Sequence, residues 1–189
     1  MNRREFIVGV SSTALIAGTA EAKSGFYTGY PHQITDWTAQ HFTAREFASK
    51  GNGYVSVSRE MIAALDRVRA AVGHSIHITS GYRDPAHNAR VGGVKHSRHL
   101  LSDAVDINLR GLSSPQRHAL TWHLLAEGFS SFGTYSRHGF MHADMRPHAR
   151  IWHVGTGTHP AWFRQALSDW GWQRDHGATR TPRIRITRT

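Results

Sequence analysis

His99 and Asp106 stand seven residues apart in Ser97-Arg98-His99-Leu100-Leu101-Ser102-Asp103-Ala104-Val105-Asp106, and a second polar pair, His142 and Asp144, alternates in Phe140-Met141-His142-Ala143-Asp144-Met145. Two imidazoles and one carboxylate can form a three-ligand zinc site that leaves a fourth position for water. That donor set suits metal-assisted hydrolysis. The chain has no cysteine, which excludes a thiolate metal site and a cysteine nucleophile. It has 15 histidines, so residue type alone selects nothing and position must carry the argument.

Such ligands need rigid elements beneath them. Ala104 to Leu109 alternates as a strand, with Val105, Ile107 and Leu109 toward a core and Ala104, Asp106 and Asn108 toward the other face. Phe140 to Met145 predicts a further strand on which Phe140, His142 and Asp144 share a face. Ser75 to Thr79 predicts another, and its His77 reads as structural. Met61, Leu65, Val68 and Val72 recur at helical spacing from about Ser58, and Gly73 is placed to end that helix. Thr43-Ala44-Arg45-Glu46 is a capping box before a short helix, and Lys50 to Gly53 is a turn. Ser114-Pro115 opens a helix that runs to about Glu127. Arg83 to Lys95 reads as a loop, and Pro160 to Trp170 as a last short helix. The order helix, strand, loop, strand, helix, strand predicts one α+β domain with a small antiparallel sheet flanked by helices, its zinc site on the sheet face.

The ends place this domain. Arg3-Arg4 precedes an apolar stretch from Phe6 to about Gly18, and Ala20-Glu21-Ala22 follows with small residues at cleavage spacing. This is the layout of a secretory signal, here of twin-arginine type, over residues 1–22. The apolar stretch is short of the ~20 residues that span a bilayer. Export to the periplasm or the cell envelope is therefore expected, with no transmembrane segment in the mature chain. Residues 23–40 read as an irregular lead-in, 41–155 as the domain, and 156–189 as a helix with a basic tail. The net charge is +10, and five arginines (Arg174, Arg180, Arg183, Arg185 and Arg188) fall in that tail. An exported basic chain meets anionic envelope polymers before nucleic acid, so no nucleic-acid partner is expected.

Taken together, Ser80-Gly81-Tyr82-Arg83, Asn88, Val91-Gly92-Gly93, Ser97-Arg98-His99 and Ala104-Val105-Asp106-Ile107 resemble the M15 group of zinc peptidases, and within it the small exported murein endopeptidase branch. The resemblance runs from about Phe42 to Trp152 and implies a hedgehog-like zinc peptidase fold. It implies one Zn2+ per chain, held by His99, Asp106 and His142. It makes Arg83 a substrate-binding arginine with Tyr82 beside it, and Ser97 a support for the ligand loop. The implied activity is hydrolysis of peptide bonds in peptidoglycan stem peptides or cross-links, by a monomer whose partner is peptidoglycan. D,D-carboxypeptidase action and a non-catalytic zinc-containing wall-binding module are the alternatives.

Two features depart from that pattern. Ser102 stands where relatives have glycine, and a serine does not adopt a strongly positive φ cheaply. Relatives also place a basic or acidic residue two or three positions before the third ligand, where this chain has Phe140 and Gly139. Asp144 is then the nearest candidate for the general base and His138 the next, while Asp144 as third ligand with His142 as base stays open. His153 falls outside the matched segment, and His74, His87, His96, His118, His123 and His148 read as surface residues. Trp152, Trp162, Trp170 and Trp172 either line a sugar-binding groove or pack a core edge, and their spacing favours the core edge.

Overall fold

The computed structural model describes residues 25–172 apart from Ser136. The signal-like segment 1–22 and the arginine-rich end lie outside the described residues. Chain order is β1 (Phe26–Gly29), β2 (Val55–Ser58), α1 (Arg59–Val72), β3 (Ile78–Ser80), α2 (Pro85–Arg90), β4 (Ala104–Asn108), α3 (Ser114–Ala126), β5 (Ser131–Tyr135), β6 (Phe140–Asp144), β7 (Arg150–Val154) and α4 (Ala161–Asp169), with short 3-10 turns at Pro31–Gln33, Ala44–Phe47 and Arg98–Leu101. The class is α+β, as the sequence predicts. β1 and β2 form a small antiparallel sheet, and the larger sheet runs β3-β4-β6-β5-β7. Its first four strands are antiparallel, and β7 adds parallel to β5, which makes the larger sheet mixed.

Helix α1 begins where Ser58 accepts the Met61 N–H and ends on Gly73 in the left-handed region. Met61, Ile62, Leu65 and Val68 are fully buried, each worth about 1.5–3 kcal/mol of apolar transfer. Ser113 caps α3 through Gln116, and Leu120, Leu124 and Leu125 meet the sheet residues Val105, Ile107, Phe132, Met141 and Ala143 in one core. Phe163 closes that core against Phe132, ring centroids 5.9 Å apart. Trp162, Trp170 and Trp172 pack against this core.

Three readings of the sequence change. The lead-in is not irregular throughout: the β-formers Phe26-Tyr27-Thr28 pair with β2, and the buried Tyr27 hydroxyl bonds Thr38 Oγ1 at 2.7 Å. The loop from Arg83 contains α2, because Pro85 is its first residue and Asp84 caps it by accepting the His87 N–H. The strand after Gly73 starts three residues later, at Ile78.

Ser102 ends the Arg98–Leu101 turn with φ 69°, alone in that region among the described residues other than glycine. A side chain there costs about 1–2 kcal/mol. Ser102 offsets part of this through a 2.7 Å bond from its hydroxyl to Ser56 Oγ, and its carbonyl accepts the Ser58 N–H. Ser102→Ala loses the hydroxyl bond without relieving the backbone and should destabilise by about 1 kcal/mol. Ser102→Gly relieves the backbone and should be near neutral. Urea denaturation of the two variants checks this, and Ser102→Gly as the less stable of the two would contradict it.

Candidate metal centre

Strands β4 and β6 are antiparallel neighbours, and their register puts Asp106 directly opposite His142. Paired residues share a face, so the two side chains rise together on the side away from α1 and α3. His99 arrives from the 3-10 turn above them. That turn is fixed by the Arg98–Asp103 ion pair, by the left-handed Ser102 and by the Arg83 N–H, which donates to the His99 carbonyl at 3.2 Å. Ser97 is buried at the head of the same turn, and its carbonyl accepts the Leu100 N–H.

His99 Nε2, His142 Nδ1 and Asp106 Oδ1 converge. The separations are 3.2 Å from His99 to Asp106, 3.0 Å from His142 to Asp106, and 3.1 Å between the two imidazoles. The three residues form a buried group that could hold a metal ion. Their far sides are committed. His99 Nδ1 donates to the Gly81 carbonyl at 2.6 Å, which leaves the Nε2 lone pair facing inward. Gly81 approaches so closely that a Cβ on it would lie 2.6 Å from Phe47 Cα. His142 Nε2 donates to Asp144 Oδ2 at 3.0 Å, which turns the Nδ1 lone pair inward. Asp106 Oδ2 accepts from Arg83 at 2.5 Å, and Arg83 Nε donates to Ser80 Oγ. Three inward acceptors at this spacing repel one another unless a proton or a cation lies among them. Tetrahedral zinc with ligands at about 2.0–2.1 Å has ligand atoms about 3.3 Å apart, so the donor set and its spacing fit that ion.

The electrostatics agree. Burial holds His99 below its ordinary value, which favours the neutral imidazole. Burial alone would raise Asp106, but His99 and His142 beside it keep its carboxyl far below the usual carboxylate range. Burial opposes charge on His142 as well, yet the bonds to Asp106 and Asp144 raise its pKa above 6.5. A metal must displace that proton. Zinc affinity should therefore fall with pH from above pH 6.5 downward, with net proton release on titrating zinc into weakly buffered protein. Zinc uptake without proton release at pH 6.5 would contradict this.

Asp144 is fully buried, and both of its oxygens are occupied. Oδ1 accepts from the Arg146 N–H and Nε, and Oδ2 from a terminal Arg146 nitrogen as well as from His142. His142 and Arg146 together overcome its burial and hold its pKa down to about 2. It lies on the far nitrogen of His142 and is outside the group of converging ligand atoms. A fully hydrogen-bonded carboxylate of such low basicity is poorly suited to accept a proton at neutral pH. Its folded pKa lies below the ordinary 3.8, so its stabilisation is present above about pH 4 and lost as pH falls toward 2. The difference in urea midpoint between wild type and Asp144→Asn should shrink over that window. His138 is exposed on the turn before β6, its ring centroid 6.0 Å from that of Phe140.

Tyr82 borders Tyr54 at 6.5 Å, and burial with the Asp84 charge pushes its phenol up. His153 lies on the opposite sheet face, bonded to Thr134 Oγ1 at 2.8 Å. Trp152 separates from the other tryptophans. Its ring centroid is 5.2 Å from that of His142, and it lies across Gly133, where a Cβ would come within 2.4 Å of the indole. Gly133→Ala should therefore cost about 1–3 kcal/mol by overpacking. Arg146 and the Gly81 carbonyl were not legible as site groups from composition or periodicity. The spacing His142-x-Asp144-x-Arg146 is the one sequence signal for the former.

No curated protein matches this chain. The family model described as Peptidase M15 matches residues 29–144, more than half of the 189 residues and all three converging side chains. The buried His-Asp-His group thus falls inside a recognised peptidase domain, and the chain belongs to the M15 peptidase family.

Proposed function

We propose that this chain is an exported zinc metallopeptidase that hydrolyses peptide bonds in peptidoglycan stem peptides or their cross-links. The observation that carries the reading is the inward convergence of His99 Nε2, His142 Nδ1 and Asp106 Oδ1, each fixed from behind by a separate partner. Zinc held by these three residues would supply Lewis acidity for the scissile carbonyl and for the attacking water. Asp144 acts on this site through His142, as the group that fixes its tautomer and ring orientation. Arg83 steadies Asp106 and keeps a further guanidinium nitrogen for a substrate carboxylate, with Tyr82 alongside. To His138, exposed at the rim of the site face beside the rings of Tyr135 and Phe140, this reading assigns the passage of a proton between site and solvent. The charge of +10 favours anionic wall polymers, an attraction that salt weakens.

A non-catalytic wall-binding module is the second reading. It is favoured by the engagement of Asp144 and by the absence of a proton acceptor on Phe140 and Gly139. Defined muropeptides separate the readings. Zinc-loaded protein incubated with a cross-linked dimer and, separately, with a monomeric pentapeptide should cleave the dimer. Release of terminal D-Ala from the monomer alone would instead make it a carboxypeptidase, and binding of both without cleavage would make it a module.

A further inference from the structure

The site face continues past His142 into an aromatic group that the ligand set does not use. Register places Gly133 opposite His142 and Tyr135 opposite Phe140 on β5 and β6, and Trp152 opposite Gly133 on β7. Tyr135, Phe140 and Trp152 therefore share the face of the converging ligands. All three are half-buried, so the group borders solvent. The Tyr135 ring stacks on Phe140 with centroids 4.4 Å apart and planes 18° apart. Trp152 Nε1 donates to the Tyr135 hydroxyl at 3.1 Å.

That bond fixes a direction. An indole N–H is a donor only, so the Tyr135 oxygen must accept, and its own O–H points elsewhere. Among the described residues no acceptor for that O–H is found. The same indole that orients the phenol lies against His142, through the close approach that Gly133 permits. Among the described residues the Tyr135 hydroxyl is thus an unspent donor on the metal-site face, held by stacking on one side and a hydrogen bond on the other.

We propose that Tyr135 is a catalytic residue of the hydrolysis, donating its hydroxyl hydrogen bond to the scissile carbonyl oxygen as negative charge develops there. Trp152 is the positioning residue that aims it. The inference rests on the peptidase reading. A preorganised donor of this kind acts in the transition state more than in the ground state, so it affects kcat more than KM.

Tyr135→Phe tests this with little risk to the fold, since the ring and its stacking stay. Cleavage of the cross-linked muropeptide dimer is measured beside zinc content and thermal midpoint. The expected result is a fall in kcat of about 100-fold with KM within about threefold, zinc stoichiometric and the midpoint lowered by no more than about 4 °C, the cost of the lost bond from Trp152. Trp152→Phe, which removes the N–H donor together with part of the indole packed on Gly133 and His142, should lower kcat by about tenfold, and zinc content measured beside it separates loss of aim from loss of the site. Binding of a phosphinate analogue of the dimer peptide, read by calorimetry, should weaken in Tyr135→Phe by the same factor as kcat/KM. Wild-type kcat in Tyr135→Phe, or a raised KM at constant kcat, overturns the assignment and leaves the peptidase reading standing. Wild-type protein that holds one zinc and cuts nothing overturns both.

Discussion

Asp106→Ala is expected to lose stoichiometric zinc and with it all measurable hydrolysis. The carboxylate serves three partners at once: His99 and His142 through Oδ1, and Arg83 through Oδ2. Partners that only support a ligand cost about 10–100-fold in metal affinity when removed, and loss of a ligand itself should exceed that range. The variant also leaves Arg83 facing two imidazoles without the charge that balances it, a change that costs about 3–5 kcal/mol at buried pairs. Asp106→Asn separates the two effects. It keeps the shape and one oxygen but not the charge, so the fold should survive while zinc is lost. Emission spectroscopy for zinc and a urea titration check both variants. Full zinc occupancy in Asp106→Ala would show that the metal is held elsewhere.

Asp144→Asn should fold, retain a weakened site and bind zinc about 10–100-fold less tightly. The amide can still meet His142 Nε2, but it no longer fixes the tautomer that turns Nδ1 inward. Asp144→Ala should be far worse, because Arg146 loses its bidentate partner against a fully buried position. About 3–5 kcal/mol of stability is at stake there. The contrast distinguishes a positioning residue from a base. A base would lose activity in both variants with zinc affinity unchanged, whereas a positioning residue loses affinity first and recovers activity at high zinc.

The sequence carried the ligand pair well and its support poorly. Alternation in Ala104 to Asn108 and in Phe140 to Asp144 places Asp106 and His142 on faces away from the core, and the structure pairs them directly. Periodicity gives no register, so it could not show that Asp144 meets the far nitrogen of His142. Strand β5 was hidden because Gly133 breaks the middle of Ser131 to Tyr135, and the indole that needs that glycine is 19 positions further on. Strand β7 is half-buried and parallel to its neighbour, with none of the turn signals of a hairpin. Helix α2 hid behind Pro85, which reads as a loop residue until Asp84 is seen to cap it. Ser102 is the opposite case. A serine where the resemblance implies glycine was visible in the sequence, and the backbone takes the left-handed turn at Ser102.

Digestion of intact murein sacculi by the zinc-loaded protein, with the released muropeptides identified by mass, bears most directly on the role of this site. New fragments should appear whose masses correspond to one broken peptide bond, and they should vanish on adding a chelator or in Asp106→Ala. An unchanged muropeptide profile from wild-type protein carrying one zinc per chain would contradict hydrolysis of peptidoglycan by this centre.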